Sequence, residues 1–252
     1  MSFFVDIILP NYNKEFFLQE TINSVLNQSY KNWKLVIVDN CSTDNSKTII
    51  EKFRKNKKID IIHLKKNMGV SFSRNLGIRL SNSKYISFLD ADDLWTPNKL
   101  NDQINFMEEK DYKFTYTDYT PFFEKNKKKI LKKKVTTPDI FDFEAFINNS
   151  SISTSSMIIS RDAVKTIKFP KVATLEDFPF KCKILNKIQF AKKFNQNTLF
   201  YRITKNSLTS NKLKNLLWLW KINKIYNKLT FFKNLKSLFF ISINSLKKYG
   251  YK

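Results

Sequence analysis

The chain has 252 residues, 42% hydrophobic and 15% aromatic with three glycines, so it folds around a sizeable core and is neither linker nor low-complexity sequence. Its net charge of +23 is one-sided: no carboxylate follows Asp177, and Phe178 to Lys252 holds 16 Lys and one Arg, a footprint for anionic lipid or nucleic acid. No apolar run approaches the roughly 18–20 residues of a membrane span, the nearest being Leu238 to Ile243.

Strand and helix signals alternate at short spacing through the first half. Val5 to Leu9 predicts a strand, and Glu15 to Gln28 predicts a helix with Phe17, Ile22, Val25 and Leu26 on one face. Lys34 to Val38 is the next strand, and Ser42 or Thr43 is placed to cap a helix reaching about Arg54. Ile59 to Leu64 reads as a strand, Val70 to Leu80 as a helix and Tyr85 to Leu89 as a fourth strand. That order implies βαβ units, hence an α/β fold with a doubly wound, mostly parallel sheet.

Beyond it, Asn98 to Glu109 predicts a helix and Lys113 to Asp118 a strand. Lys125 to Lys134, with seven lysines in ten residues, reads as a solvated loop. Phe141 to Ile147, Met157 to Ser160 and Leu199 to Ile203 give a more mixed second half. From about Lys212 the pattern is helical: Trp218, Ile222, Ile225, Leu229 and Phe232 form an apolar stripe against Lys221, Lys224 and Lys228.

The ends of the predicted parallel strands converge on one rim, where open α/β sheets bind ligands. They deliver Pro10-Asn11-Tyr12-Asn13, Asp39-Asn40-Cys41-Ser42, Asn67-Met68-Gly69 and Asp90-Ala91-Asp92-Asp93. Three carboxylates within four residues repel one another and favour a divalent cation or a proton; with Mg²⁺ or Mn²⁺ the natural third party is a phosphate. A helix cap or solvated turn before Pro97 is the plainer alternative. A nucleotide suits this crevice, with Asp39 accepting from a base N–H, Tyr12 flanking the base and Arg74 facing the diphosphate.

The segments Ile8 to Asn13, Leu18 to Tyr30, Leu35 to Asp44, Asn67 to Asn75 and Phe88 to Trp95 together resemble the inverting nucleotide-sugar glycosyltransferases of family 2, which have the GT-A fold. Leu175 to Leu185 is similar to that family's acidic-aromatic helix, and Tyr201 to Asn211 to the segment that closes the domain in members building bacterial surface polysaccharides. The resemblance implies a role for each matched position. Pro10, Asn11, Tyr12, Asn13, Asp39, Asn67, Arg74, Asp90 and Ala91 would bind the nucleotide sugar, Asp39 reading the base. Asp90 and Asp92 would hold Mg²⁺ or Mn²⁺ with Asp93 in support, and Asp177 would be the catalytic base, where its own sequence context also allows a helix N-cap near Thr174. Asn40 departs from the acidic residue the family often carries after Asp39.

These matches imply a GT-A domain over residues 1–210, divided into a donor half (1–120) and an acceptor half (121–210), followed by a basic helical extension (211–252). The expected reaction moves a sugar from a nucleotide donor, UDP-linked by expectation, to a lipid-linked or glycan acceptor in cell-surface polysaccharide synthesis. The expected location is cytoplasmic, peripheral on an anionic inner membrane face, with no nucleic acid as partner. Cys41 and Cys182, in a chain whose Met1-Ser-Phe-Phe-Val start has no basic n-region, fit a reducing compartment.

Other readings fit fewer residues. A haloacid-dehalogenase-like phosphatase needs Thr or Val where Leu94 stands, and a dinucleotide-binding fold needs glycines before Gly69. A nucleic-acid-binding protein would use the basic tail with Trp218, Trp220, Tyr226 and Phe231 as stacking platforms, against the repulsion of the acid cluster. His63, with no second histidine for a metal pair, reads as a packed or surface residue and Cys41 as a small hydrophobe. Trp95 reads as core, and Ser153 to Ser156 as either a Ser-rich turn or hydroxyls for an acceptor.

Overall fold

A computed structural model describes residues 4–126, 128–204 and 212–249. Lys205 to Asn211, most of the segment matched to the family's domain closure, therefore lies outside the described residues, as do the first three residues of the chain.

The first half follows the predicted alternation: β1 (Val5–Asn11), α1 (Glu15–Leu26), β2 (Trp33–Asp39), α2 (Ser46–Glu51), β3 (Ile59–His63), α3 (Val70–Leu80) and β4 (Tyr85–Phe88). The four strands pair in parallel in the order β3-β2-β1-β4. β1 is buried along its whole length because both faces are covered. Ile7 and Leu9 join one core with Leu18, Ile22 and Trp33, while Ile8, between them, joins the other with Ile78 and Phe88. α3 comes close to β1 through Gly77, where a Cβ would stand 2.5 Å from Ile8 Cγ2.

The second half is mixed. β5 (Leu94–Trp95), α4 (Lys99–Lys110), β6 (Phe114–Lys125), β7 (Lys128–Leu131), β8 (Ile140–Asp142), α5 (Phe143–Asn149), a 3₁₀ turn over Thr154–Ser156, β9 (Ile158–Ser160), α6 (Arg161–Val164), α7 (Asp177–Ile188) and β10 (Phe190–Arg202) continue the same sheet. β9 runs antiparallel between β4 and β6, and β6 pairs in parallel with β10. β6 crosses residue 120 without a break, so the expected donor and acceptor halves share one sheet.

Three expectations need correction. The lysine-rich run is no loop: β7 folds back on β6 from Lys128↔Lys125 to Leu131↔Phe122, its charged side chains lying in water while the backbone completes a ladder. The helix after β2 is short, because Ser42 bonds Asp39 instead of capping; Asp44 Oδ1 accepts from Ser46 N at the start of α2. The stripe from Trp218 to Phe232 is also not one face, since the last segment is a hairpin of α8 (Lys212–Ile225) and α9 (Phe231–Tyr249). Asn223 is buried at its centre, donating to Asn234 Oδ1 (3.0 Å) and Ser237 Oγ (3.0 Å), a polar lock that turns the chain back and leaves Ile225 and Phe232 exposed. Leu219 and Ile222 enter the main core beside Phe178 and Leu185.

Candidate functional site

The parallel strands β1 to β4 end on one rim, and their loops are laced to one another. Asn13, in left-handed backbone (φ 51°), accepts from Thr43 N (2.8 Å), and its own N–H donates to Ser42 Oγ (3.0 Å). Asp44 accepts from Glu15 N, and Glu15 from Asn45 N, so the start of α1 and the loop after β2 cap each other. Asn40 ties the next loop in: its Nδ2 donates to Asn67 Oδ1 (2.8 Å) while its Oδ1 accepts from Met68 N (2.8 Å). The family's usual acid at position 40 would lack that donor.

Asp39 lies fully buried at the floor of this rim. Asn11 Nδ2 (2.9 Å) and Ser42 Oγ (2.5 Å) donate to one oxygen, and Ser42 N (3.3 Å) and His63 Nδ1 (3.3 Å) approach the other. His63 Nε2 meets Glu51 (2.7 Å), so the histidine that carried no sequence signal braces the Asp39 carboxylate. The strand register Asp39↔His63 puts it there, and only pairing could have disclosed it. Pro10 and Asn11 are buried in the sheet, whereas Tyr12, Asn13 and Asn67 are exposed.

The acid cluster divides by role. Asp93 points inward, accepting from Ser155 Oγ (2.6 Å) and Arg202 N (3.0 Å); burial, then Asp92 and Asp90, push its pKa well above the ordinary range. Asp90 and Asp92 lie on the rim, each against a cation: Arg74 Nη2 is 2.7 Å from Asp90, and Lys14 Nζ is 2.5 Å from Asp92. Burial raises the pKa of Asp92; Lys14 opposes the rise and Asp90 adds to it. Ala91 is buried, its carbonyl accepting from Thr21 Oγ1 (3.0 Å).

Arg74 is 4% exposed, so it stands behind the rim instead of open to a diphosphate. Its guanidinium joins Asp90 to Glu176, and burial's pressure against its charge is outweighed by Asp90, Glu176 and Asp177. Through this one side chain the end of β4 meets the start of α7, segments far apart in sequence. Asp177 opens α7 and is no cap, its carboxylate accepting from Lys181 Nζ (2.6 Å) and Thr154 Oγ1 (2.9 Å). Burial would raise its pKa, but Lys181, Arg74 and Thr154 together bring it down to about 2.

Lys181 is itself buried and also donates to Ile152 O (2.7 Å) and Thr154 Oγ1 (3.0 Å). The 3₁₀ turn thus serves both carboxylate groups, Thr154 toward Asp177 and Ser155 toward Asp93, while Ser155 O accepts from the Trp95 indole (2.8 Å) in the core. Cys41 is half-buried in left-handed backbone (φ 63°). Lys14 and Lys181 were not singled out in the sequence, since one lysine in so lysine-rich a chain carries little information.

Among the described residues no three His, Cys, Asp or Glu side chains cluster as a self-sufficient metal cage. Two rim carboxylates with hard oxygen donors nonetheless fit a Mg²⁺- or Mn²⁺-type ion that takes its other ligands from water and phosphate. Lys14 and Arg74 at these oxygens are the positive charge the pair demands.

The sequence model of glycosyl transferase family 2 matches residues 6–168. The chain is 32% identical over 97% of its length to an Escherichia coli protein, UDP-Glc:alpha-D-GlcNAc-diphosphoundecaprenol beta-1,3-glucosyltransferase WfaP, of which it covers 95%. In fold it is similar to S. aureus TarS 1-349 in complex with UDP-GlcNAc (TM-score 0.74, 18% identity, 97% of this chain and 73% of that one); it spans 43% of a longer TarS chain. It is also similar to the mannosyltransferase PcManGT from Pyrobaculum calidifontis in complex with GDP-Man and Mn2+ (TM-score 0.69, 14% identity, 98% and 76%).

Proposed function

The chain belongs to glycosyl transferase family 2 and is a GT-A glycosyltransferase, and on that premise we propose that it transfers a sugar, with inversion, from a UDP-linked donor to a lipid-linked or glycan acceptor of envelope polysaccharide. The observation that carries this reading is the Arg74 bridge, which joins Asp90, beyond the end of β4, to Glu176, the neighbour of Asp177 at the start of α7. The name of the E. coli relative supports a nucleotide donor and a diphosphate-lipid acceptor.

Tyr12, Asn13 and Asn67 line the exposed mouth of the donor site above the Asp39 floor, with Pro10 and Asn11 as its buried frame. Asp90 and Asp92 are the residues that would hold Mg²⁺ or Mn²⁺, whose chemistry is to neutralise the charge developing on a diphosphate leaving group. Arg74 fixes Asp90 and Glu176 relative to each other and acts through them. Asp177, ionised at neutral pH by Lys181, takes the acceptor's proton as its oxygen bonds the anomeric carbon. A weakly basic carboxylate suffices because the hydroxyl becomes acidic only as that bond forms. Attack from the face opposite the leaving group inverts the sugar. The enzyme works at the cytoplasmic membrane face, where a lipid-linked acceptor resides.

Calorimetry tests the donor half. Asp92→Asn keeps the shape and removes the charge, so Mn²⁺-dependent binding of UDP-sugar is expected to weaken by tenfold or more while the fold survives; unchanged affinity would exclude Asp92 as the metal's ligand.

A further inference from the structure

The hairpin of α8 and α9 closes the core with one side and leaves another bare. α9 is bound through Asn234, Ser237, Ile241 and Asn244: Ser237 Oγ donates to Ile147 O, and Asn244 Nδ2 to Asn148 O (3.1 Å). Phe232, Leu235, Phe239 and Leu246, spaced by three, four and seven residues, fall on the opposite side of the helix. All four are exposed, Phe232 by 80% and Phe239 by 61%. Ile225, at the end of α8, is 64% exposed. An apolar ridge this contiguous on a helix already packed by its other side marks an interaction surface.

Its surroundings select the occupant. Lys224, Lys228, Lys236 and Lys247 are exposed on the same hairpin, which contains no carboxylate. A second copy docked on this surface would set the lysines of one hairpin against those of the other, with Glu144, already paired to Lys233, the carboxylate beside α9. A nucleic acid would satisfy the lysines but gain little from covering Leu235 and Leu246. An anionic bilayer takes both: phosphate headgroups meet the lysines, and the Phe and Leu side chains enter the acyl boundary. Among the described residues no helix is long and apolar enough to cross a membrane, so the contact lies in the interface plane.

We infer that the outer face of α9, from Phe232 to Leu246, lies on the surface of an anionic bilayer and carries the enzyme's membrane attachment. It rests on the proposed membrane location and replaces the Trp218-to-Phe232 stripe with a defined surface: Trp218 is half-buried and Ile222 belongs to the core.

The full chain, without donor, is mixed with vesicles of phosphatidylcholine and phosphatidylglycerol and sedimented. The parent is expected to bind them at low salt, more weakly at high salt, and poorly to phosphatidylcholine alone. The double variant Phe232→Ser/Phe239→Ser is expected to lose about tenfold or more of that binding, and Lys224→Glu/Lys228→Glu/Lys236→Glu a comparable amount. Both sets are exposed, and circular dichroism checks their folding. Three results would each overturn the inference: a parent that does not sediment, a Phe variant that binds like the parent, or a parent dimer dissolved by the Phe changes, which would mark a copy-to-copy interface. Oligonucleotide binding lost with the Phe residues while vesicle binding persists would assign the face to nucleic acid. UDP-sugar binding, measured without vesicles, should be unchanged in both variants, so failure of the glycosyltransferase reading and failure of this one are separate outcomes.

Discussion

Replacing Lys181 by Met tests whether Asp177 is the base and what tunes it. Lys181 is 1% exposed and its ammonium makes three contacts: Asp177 Oδ2 at 2.6 Å, Ile152 O at 2.7 Å and Thr154 Oγ1 at 3.0 Å. Met fills the same space without charge or donors, so folding stability is expected to fall by about 1–3 kcal/mol, less than for a fully buried pair because the Asp177 side chain left behind is 31% exposed. The effect on Asp177 is directional. Burial pushes its pKa up, and Lys181 is the largest influence bringing it from 3.8 to about 2. A depression of that size corresponds to about 2 kcal/mol favouring the ionised form, at 1.36 kcal/mol per pKa unit. The stability it contributes is fully present above the unfolded carboxyl's pKa and is lost as pH falls through the folded value. Without Lys181, burial prevails over Arg74 and Thr154, and the pKa rises. The readout is kcat/KM against pH, followed by nucleoside diphosphate release below the variant's melting temperature. Asp177 should add no acid limb to the parent profile, whose acid side is left to Asp92 and to unfolding, whereas in the variant a limb from Asp177 should appear at higher pH. A folded variant whose limb coincides with the parent's would show that Asp177 does not take the proton.

Asp177→Asn is expected to keep donor affinity in calorimetry and to cut transfer about a hundredfold or more, the scale of general base catalysis; near-normal turnover would remove Asp177 from that role, and loss with Glu176→Gln alone would move the base one residue back. Gly77→Ala should lower the urea midpoint. A Cβ there stands 2.5 Å from Cγ2 and 2.9 Å from Cγ1 of the fully buried Ile8, and overpacking of about 1–3 kcal/mol exceeds the gain of about 1 kcal/mol in helix propensity. A higher midpoint would mean that Ile8 can retreat.

Much of the fold was legible because its signals are local. The alternation from Val5 to Leu89 depends on apolar periodicity within single segments, and the carboxylates at Asp90 and Asp92 follow an apolar run directly. Parallel strands share the direction of their ends, so the pattern alone was enough to collect Pro10 to Asn13, Asp39, Asn67 and Asp90 on one rim. Strand β7 leaves no local signal because its four residues are exposed, two lysines followed by Ile130 and Leu131 without alternation; the partner strand supplies its reason to exist. The stripe from Trp218 was misread because Asn223 looks like any surface amide until Asn234 and Ser237 of α9 surround it. The same holds at the site: Lys14, His63, Arg74 and Lys181 act through carboxylates 78, 24, 16 and four residues away. Apolar periodicity is a property of a segment and survives in the sequence, whereas the pairing of buried charges is a property of two surfaces, decided only when packing removes water from between them.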